Sequence, residues 1–389
     1  MIRLDSVTLR EIRLELAEPF RTSAGAVAER RILLLELTDG DGGATWSECV
    51  AEALPTYSAD TVDTSWLALT EWIIPAILGV SFPAPTAIHA ALEQRIRGHR
   101  MGCAAVEMGM WALDAERQKT SLAALLTSAS AHARESGATP RPLVDTGVVL
   151  GMQPTPQELA ERASAARAAG YRRIKVKIAP GRDVSYVEAV RHAVGAGVSL
   201  AADANCSYSL DDDEQVRALE TLDRLGLDMI EQPLAHDDVV RHAELQRRMT
   251  TPICLDESVT GEASVDALLA LKSARIVNLK PGRVGGFQSA LAIHDRCAEA
   301  GVAVFCGGML ECGIGRAYNV ALASLPNFTV PGDLSPSSRY WTRDVIQSPW
   351  TMDADGRVRV PLERAGIGVD VNVARVDDLT VRTVSYRAP

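Results

Sequence analysis

Lysine is scarce in this chain. Of 40 basic residues only five are lysine (Lys119, Lys175, Lys177, Lys272 and Lys280), and the rest are arginine. Arginine does not give up its proton at neutral pH, so a lysine kept against this bias marks a place where chemistry needs an amine. Long apolar runs are also missing. The longest, Ile32–Leu35 and a stretch from Trp72 to Val80 broken by Pro75, fall far short of the ~20 residues a membrane span needs. There is no basic tract: the net charge is −10 and the arginines are scattered, which argues against nucleic acid or a membrane as partner. The seven cysteines include no Cys-x-x-Cys pair and read as reduced thiols rather than a disulfide frame. The N-terminus is charged from Arg3 and has no signal-type apolar stretch. These absences are those expected of a soluble, cytoplasmic protein. Its 389 residues suffice for one large core and a smaller unit.

The pattern along the chain divides it. Residues 1–126 read as an α+β unit, with strands at Val7–Leu16, Arg31–Leu37 and Ala44–Val50 and helices after residue 60. Residues 127–142, rich in Ser, Ala, Gly and Pro, read as a loose linker. From 143 to 335, eight short β-branched runs alternate with helical stretches, from Val144–Leu150 to Phe328–Val330. Such alternation implies a parallel sheet, and eight units favour a closed (β/α)8 barrel. No Gly-rich fingerprint follows the first strand, so neither a nucleotide nor an organic cofactor is expected. Residues 336–389 are strand-like again and are expected to return to the N-terminal unit.

A titratable group closes each of five successive strands. The second ends in Lys175-Val176-Lys177, the third in Asp203-Ala204-Asn205, the fourth in Glu231, the fifth in Asp256-Glu257 and the sixth in Lys280, at steps of 24 to 28 residues. In a barrel of parallel strands these ends share one face, where barrel enzymes carry their sites. Three carboxylates brought together there repel unless a cation lies between them, and hard oxygen ligands suit Mg²⁺ or Mn²⁺. A lysine beside such a cation can be neutral near pH 7 and act as a base. Together these groups suit removal of a proton α to a carboxylate. Lys119 and Lys272 have no such context and read as solvated. Arg172 and Arg173 read as surface charges, and His192 and His294 as structural.

The chain resembles the enolase superfamily, in its muconate-lactonizing subgroup, and more narrowly the o-succinylbenzoate synthase / N-acylamino acid racemase family. The resemblance rests on Pro19-Phe20-Arg21-Thr22-Ser23, Trp46-Ser47-Glu48-Cys49, Gly98-His99-Arg100-Met101, Ile174-Lys175-Val176-Lys177-Ile178, Ile230-Glu231-Gln232-Pro233, Leu255-Asp256-Glu257-Ser258, Asn278-Leu279-Lys280-Pro281-Gly282 and Cys306-Gly307-Gly308-Met309. It implies an enolase-like modified TIM barrel with an α+β capping domain completed by the C-terminal tail. It further implies Mg²⁺ on Asp203, Glu231 and Asp256, with Asn205 and Glu257 beside the ligands. Lys177 would be acid/base on one face of the substrate and Lys280 on the other, with Lys175 tuning the first. The substrate would be a small carboxylate. The activity would be dehydration of 2-succinyl-6-hydroxy-2,4-cyclohexadiene-1-carboxylate to 2-succinylbenzoate, a step of menaquinone biosynthesis, or racemisation of N-acylamino acids. A dipeptide epimerase or a muconate-type cycloisomerase is the alternative, and Asp333 after the eighth strand is the residue an epimerase could use. The cap would reach the substrate through Arg21, Ser23 and Tyr57, and the barrel through Gly307, Gly308 and Met309. Ala24 and Cys312 depart from residues often found in relatives (Phe; Thr or Ser) and are expected near the pocket. A homo-oligomer is implied as well.

Overall fold

The structure, a computed structural model, describes every residue except Ser23 and Ala24, and leaves the Thr22 side chain aside. The expectations for Ser23 and Ala24 therefore lie outside the described residues.

Alternating apolar positions build the cap sheet. Strand β1 (Ser6–Thr22) pairs antiparallel with β2 (Gly25–Thr38), which pairs with β3 (Ala44–Cys49). Both faces of β2 are buried, Leu33, Leu35 and Leu37 on one and Ile32 and Leu34 on the other. Helix α1 (Arg100–Arg117) lies against the sheet and is buried from Met101 to Ala115. Small residues let it approach: a Cβ on Gly109 would sit 2.9 Å from Leu37 Cδ1.

Seven parallel strands follow, hydrogen-bonded in chain order: β4 (Gly147–Leu150), β5 (Arg173–Lys177), β6 (Ser199–Asp203), β7 (Met229–Glu231), β8 (Ile253–Leu255), β9 (Ile276–Leu279) and β10 (Ala303–Cys306). The expected eighth strand, Phe328–Val330, is not a regular strand. The ring is closed there by single bridges, Val304 to Phe328 and Thr146 to Gly332, with Gly332 O accepting from Gly147 N at 2.7 Å and Cys306 O from Asp333 N at 2.9 Å. Pro331 has no N–H to give a ladder, which limits this segment to isolated contacts.

Three local expectations are revised. Residues 127–142 are largely helical, within Leu122–Ala129 and Ala131–Ser136, and Ser130 caps the second helix while donating to Asp295 at 2.6 Å. The tail is split: Arg357–Arg359 pairs with Leu143–Asp145 beside the barrel, Trp341 makes a single bridge to Leu16 of β1, and β11 (Thr380–Arg387) rejoins the cap sheet antiparallel to β1. Arg173 is not a surface charge; its side chain is fully buried. Lys119 and Lys272 sit at helix ends with φ of 53° and 57°. Among the described residues no helix is long and apolar enough to cross a membrane.

Two buried glutamates join cap to barrel, each at the N-terminus of a barrel helix. Helix α2 (Phe287–Glu299) starts after Gly286, which has no side chain to cap it. Glu107 of α1 supplies the cap: it accepts from Phe287 N at 2.7 Å, Gln288 N at 2.9 Å and Trp111 Nε1 at 2.8 Å. A Cβ on Gly286 would overlap that carboxylate. Glu48 of β3 does the same for α3 (Gly313–Ala323), accepting from Gly315 N at 3.0 Å and from Cys312 N and Sγ. Burial pushes Glu107 up to about 7 and Glu48 up to about 8. Cys312, expected near the pocket, is fully buried with its thiol against Glu48 at this interface.

Candidate active site

Register sets the site. In β5 residues 173, 175 and 177 face the barrel interior, because strand side chains alternate with a period of two. Across the sheet Lys177 is paired with Asp203, and Asp203 with Glu231, so three of the stations form one row at the strand ends. Asp256 follows β8 directly and Lys280 follows β9. Lys175 lies one layer deeper, level with Ala201 and Met229.

Each carboxylate meets its own cation. Lys177 Nζ donates to Asp203 Oδ2 at 2.7 Å and to Asn205 Oδ1 at 2.6 Å. Asn205, held at φ 42°, a conformation asparagine tolerates, donates in turn to Glu257 Oε1 at 2.9 Å. Lys175 Nζ donates to Glu231 Oε2 at 2.7 Å and to Asp333 Oδ2 at 2.8 Å, and Asn278 Nδ2 fills Glu231 Oε1 at 2.8 Å. Lys280 Nζ donates to Asp256 Oδ2 at 2.9 Å and to Tyr57 Oη at 3.0 Å. The Arg283 guanidinium also holds Asp256 and donates to Tyr57 Oη at 2.7 Å. Because each acid is turned to its own partner, no three Asp, Glu, His or Cys side chains among the described residues converge closely enough to hold a metal ion.

The electrostatics show what the cluster lacks. Burial and the neighbouring Asp203 push Glu231 up to about 7, against the pull of Lys175. Burial, Asp256 and Asp203 push Glu257 up to about 8, and its Oε2 has no hydrogen-bond partner. Burial acts on Asp256 in the same sense, but Lys280 and Arg283 override it and hold that carboxyl well below the usual range. Lys280 is raised despite its burial, chiefly by Asp256. Five carboxyls (Asp203, Glu231, Asp256, Glu257 and Asp333) crowd together against three lysines and two arginines, two of the carboxyls are pushed toward neutrality, and the oxygen-rich donor set fits a hard divalent cation.

The other expected residues are distributed as follows. Tyr57 reaches the cluster from the cap. Arg21 is exposed, and its carbonyl accepts from Met152 N at 2.9 Å, which brings this part of β1 to the end of β4. A Cβ on Gly307 would sit 2.6 Å from Lys280 Cε, and one on Gly308 3.1 Å from the Asp333 carbonyl. Met309 is buried in the cap core, with its N–H donating to Glu311. Residues not anticipated in the site are Arg283, Asn278 and Arg173. A strict period of two through Arg173-Ile174-Lys175-Val176-Lys177 is a signal that puts Arg173 inside. Arg283, three residues beyond Lys280, gives no such signal.

Comparison with known proteins follows the same division. Residues 5–127 match the mandelate racemase / muconate lactonizing enzyme N-terminal domain, and residues 158–375 match the enolase C-terminal domain-like family. The chain is 44% identical to an o-succinylbenzoate synthase of Geobacillus kaustophilus over 97% of this chain and 96% of that one. It is 42% identical to an N-succinylamino acid racemase of Amycolatopsis, covering 98% and 99%. A crystal structure of an enolase-superfamily member from Listeria innocua superposes with a TM-score of 0.91 at 35% identity, over 100% of both chains.

Proposed function

Since the chain belongs to the mandelate racemase / muconate lactonizing enzyme family of the enolase superfamily, we propose that it removes a proton α to a carboxylate with the help of a divalent metal, making o-succinylbenzoate by dehydration and racemising N-succinylamino acids. The observation that carries this reading is the row of carboxylates with a lysine at each end, Lys177 beside Asp203 and Lys280 beside Asp256.

Asp203, Glu231 and Asp256 would hold Mg²⁺, with Mn²⁺ fitting the same oxygens, and Asn205 and Glu257 would orient them from behind. The bound ion would draw off the negative charge that develops on the substrate carboxylate as its α-proton leaves. The chain's own residues do the proton work. In the dehydration Lys177, as the neutral amine, takes the α-proton and becomes an ammonium. It returns that proton to the departing hydroxyl, water leaves and the ring becomes aromatic. Lys280, kept cationic, faces the enediolate and lowers its energy. In racemisation one lysine takes the proton from one face and the other, as ammonium, delivers a proton to the opposite face. Tyr57 and Gly307 border Lys280, while Arg21 and Gly308 would face the distal part of the substrate.

The epimerase alternative needs a carboxylate free to receive a substrate ammonium. Asp333 is not free: it is 5% exposed, with Oδ1 taken by Arg173 and Oδ2 by Lys175. An N-acylated or amine-free substrate makes no such demand. The test is an assay of the purified protein with Mg²⁺ on the cyclohexadiene carboxylate, and on N-succinylamino acids in D₂O with proton exchange read by NMR. Turnover of neither substrate would sink the reading, and turnover of only one would narrow it to that activity.

A further inference from the structure

The barrel interior below the lysines is apolar, formed by Ala201, Met229, Cys254, Ile276 and Phe305. Into it the chain places an ion pair. Arg173 Nη2 donates to Asp333 Oδ1 at 2.7 Å, its guanidinium lies 4.2 Å from the centre of the Phe305 ring, and Nε and Nη1 have no hydrogen-bond partner. Gly147 makes room for it, since a Cβ there would sit 3.1 Å from Arg173 Nε. A buried pair of this kind is a poor way to gain stability, because desolvating both charges offsets their attraction, and apolar side chains of similar volume do as well or better. Its use lies in the second oxygen. Asp333 is anchored through its main chain, with its N–H on Cys306 O and its carbonyl accepting from Arg316 Nη1 at 2.6 Å. With Oδ1 fixed by Arg173, Oδ2 is aimed at Lys175 Nζ, 2.8 Å away. That ammonium is shared between Asp333 below and Glu231 above, and stays 3.6 Å from Asp203.

We propose that Arg173 and Asp333 are positioning residues that hold the Lys175 ammonium below the row of carboxylates. They thereby limit Lys175 to a single Glu231 oxygen, hold it 3.6 Å from Asp203 so that it does not displace the metal from the row, and keep a second cation from crowding Lys177. The proposal rests on the functional reading above for its catalytic consequence, but not for its effect on metal binding. When Asp333 loses its charge, Lys175 has only Glu231 and Asp203 left as anionic partners. The ammonium then competes with a divalent ion for those same oxygens. Partners of this outer kind change metal affinity or activity by about 10–100-fold when removed.

The experiment compares the parent with Asp333→Asn, Arg173→Lys and the double variant Arg173→Met/Asp333→Asn, in which no unpaired buried charge remains. Melting temperature reports folding, Mn²⁺ titration followed by EPR reports metal affinity without turnover, and steady-state kinetics separate kcat from KM. The expected result is a double variant that melts within a few degrees of the parent yet binds Mn²⁺ at least about tenfold more weakly, with kcat down by a similar factor and KM changed less than about threefold. Asp333→Asn shows the same two losses, and Arg173→Lys, which keeps the charge on Asp333, recovers most of both. A folded double variant with parental Mn²⁺ affinity and kcat overturns the proposal. If the double variant does not fold, Asp333→Asn decides by the same two readouts. If the parent turns over neither substrate but loses Mn²⁺ affinity in the variants, the functional reading fails and the positioning role stands.

Discussion

Replacing Glu107 with Met isolates the joint between cap and barrel. The change keeps the shape of the side chain but removes the acceptors for three buried donors, Phe287 N, Gln288 N and Trp111 Nε1. A buried donor left without a partner costs about 1–3 kcal/mol, so three would cost about 3–9 kcal/mol, partly offset by about 1 kcal/mol of apolar gain. The size of the loss also depends on pH. Burial raises the folded-state pKa of Glu107 from an ordinary 4.5 to about 7, over the opposing pull of its N–H donors. A carboxyl with a raised folded pKa adds stability that is present below its unfolded pKa and is lost as pH rises through the folded value. The parent's advantage over Glu107→Met should therefore narrow by roughly 1 kcal/mol between pH 6 and pH 8.5. Urea unfolding at the two pH values reads this as a fall in midpoint at constant m-value, smaller at the higher pH. A loss below about 1 kcal/mol at pH 6, or a gap that widens with pH, would refute the reasoning.

Further outcomes are expected at the site. Lys177→Ala should abolish dehydration and racemisation together, by at least ~10³-fold, whereas Lys280→Ala must abolish racemisation; racemisation by the second variant would rule out the two-base exchange. Gly307→Ala would press a Cβ into the Asn278 amide and against Lys280 Cε, 2.6 Å away, and should lower kcat more than tenfold while the protein still folds, as measured by steady-state kinetics and calorimetry. Treatment with EDTA should remove all turnover and Mg²⁺ restore it. At pH 8 the metal-free protein should melt earlier and rise in melting temperature with Mg²⁺ concentration, because the cation relieves the repulsion on Glu231 and Glu257. A melting temperature indifferent to Mg²⁺ would count against these ligands.

Much of the architecture was legible from the chain. Alternation of β-branched runs with helical stretches located the seven regular barrel strands, and the steps of 24 to 28 residues put Lys177, Asp203, Glu231, Asp256 and Lys280 at equivalent places in successive units. What failed were local readings where context decides. Phe328–Val330 has strand composition but closes the ring by bridges alone, and the Ser- and Ala-rich stretch after residue 126 folds as helix because Ser130 caps it and Asp295 holds the cap. Arg173 was misread because a charged side chain is normally exposed, and only a partner 160 positions away makes its burial affordable.

The sequence by itself determined which amines and carboxylates could meet, since a regular βα period carries equivalent positions to one end of a parallel sheet whatever the loops between them do. The tertiary structure decided what each of those groups leans on. Glu107 reaching Phe287, Glu48 reaching Cys312, Tyr57 reaching Asp256 and Asp333 gripping both Arg173 and Lys175 are contacts between units far apart in the chain. Spacing carries no information about such pairs, because they depend on how the cap docks and where the barrel closes, and those follow from packing of whole surfaces.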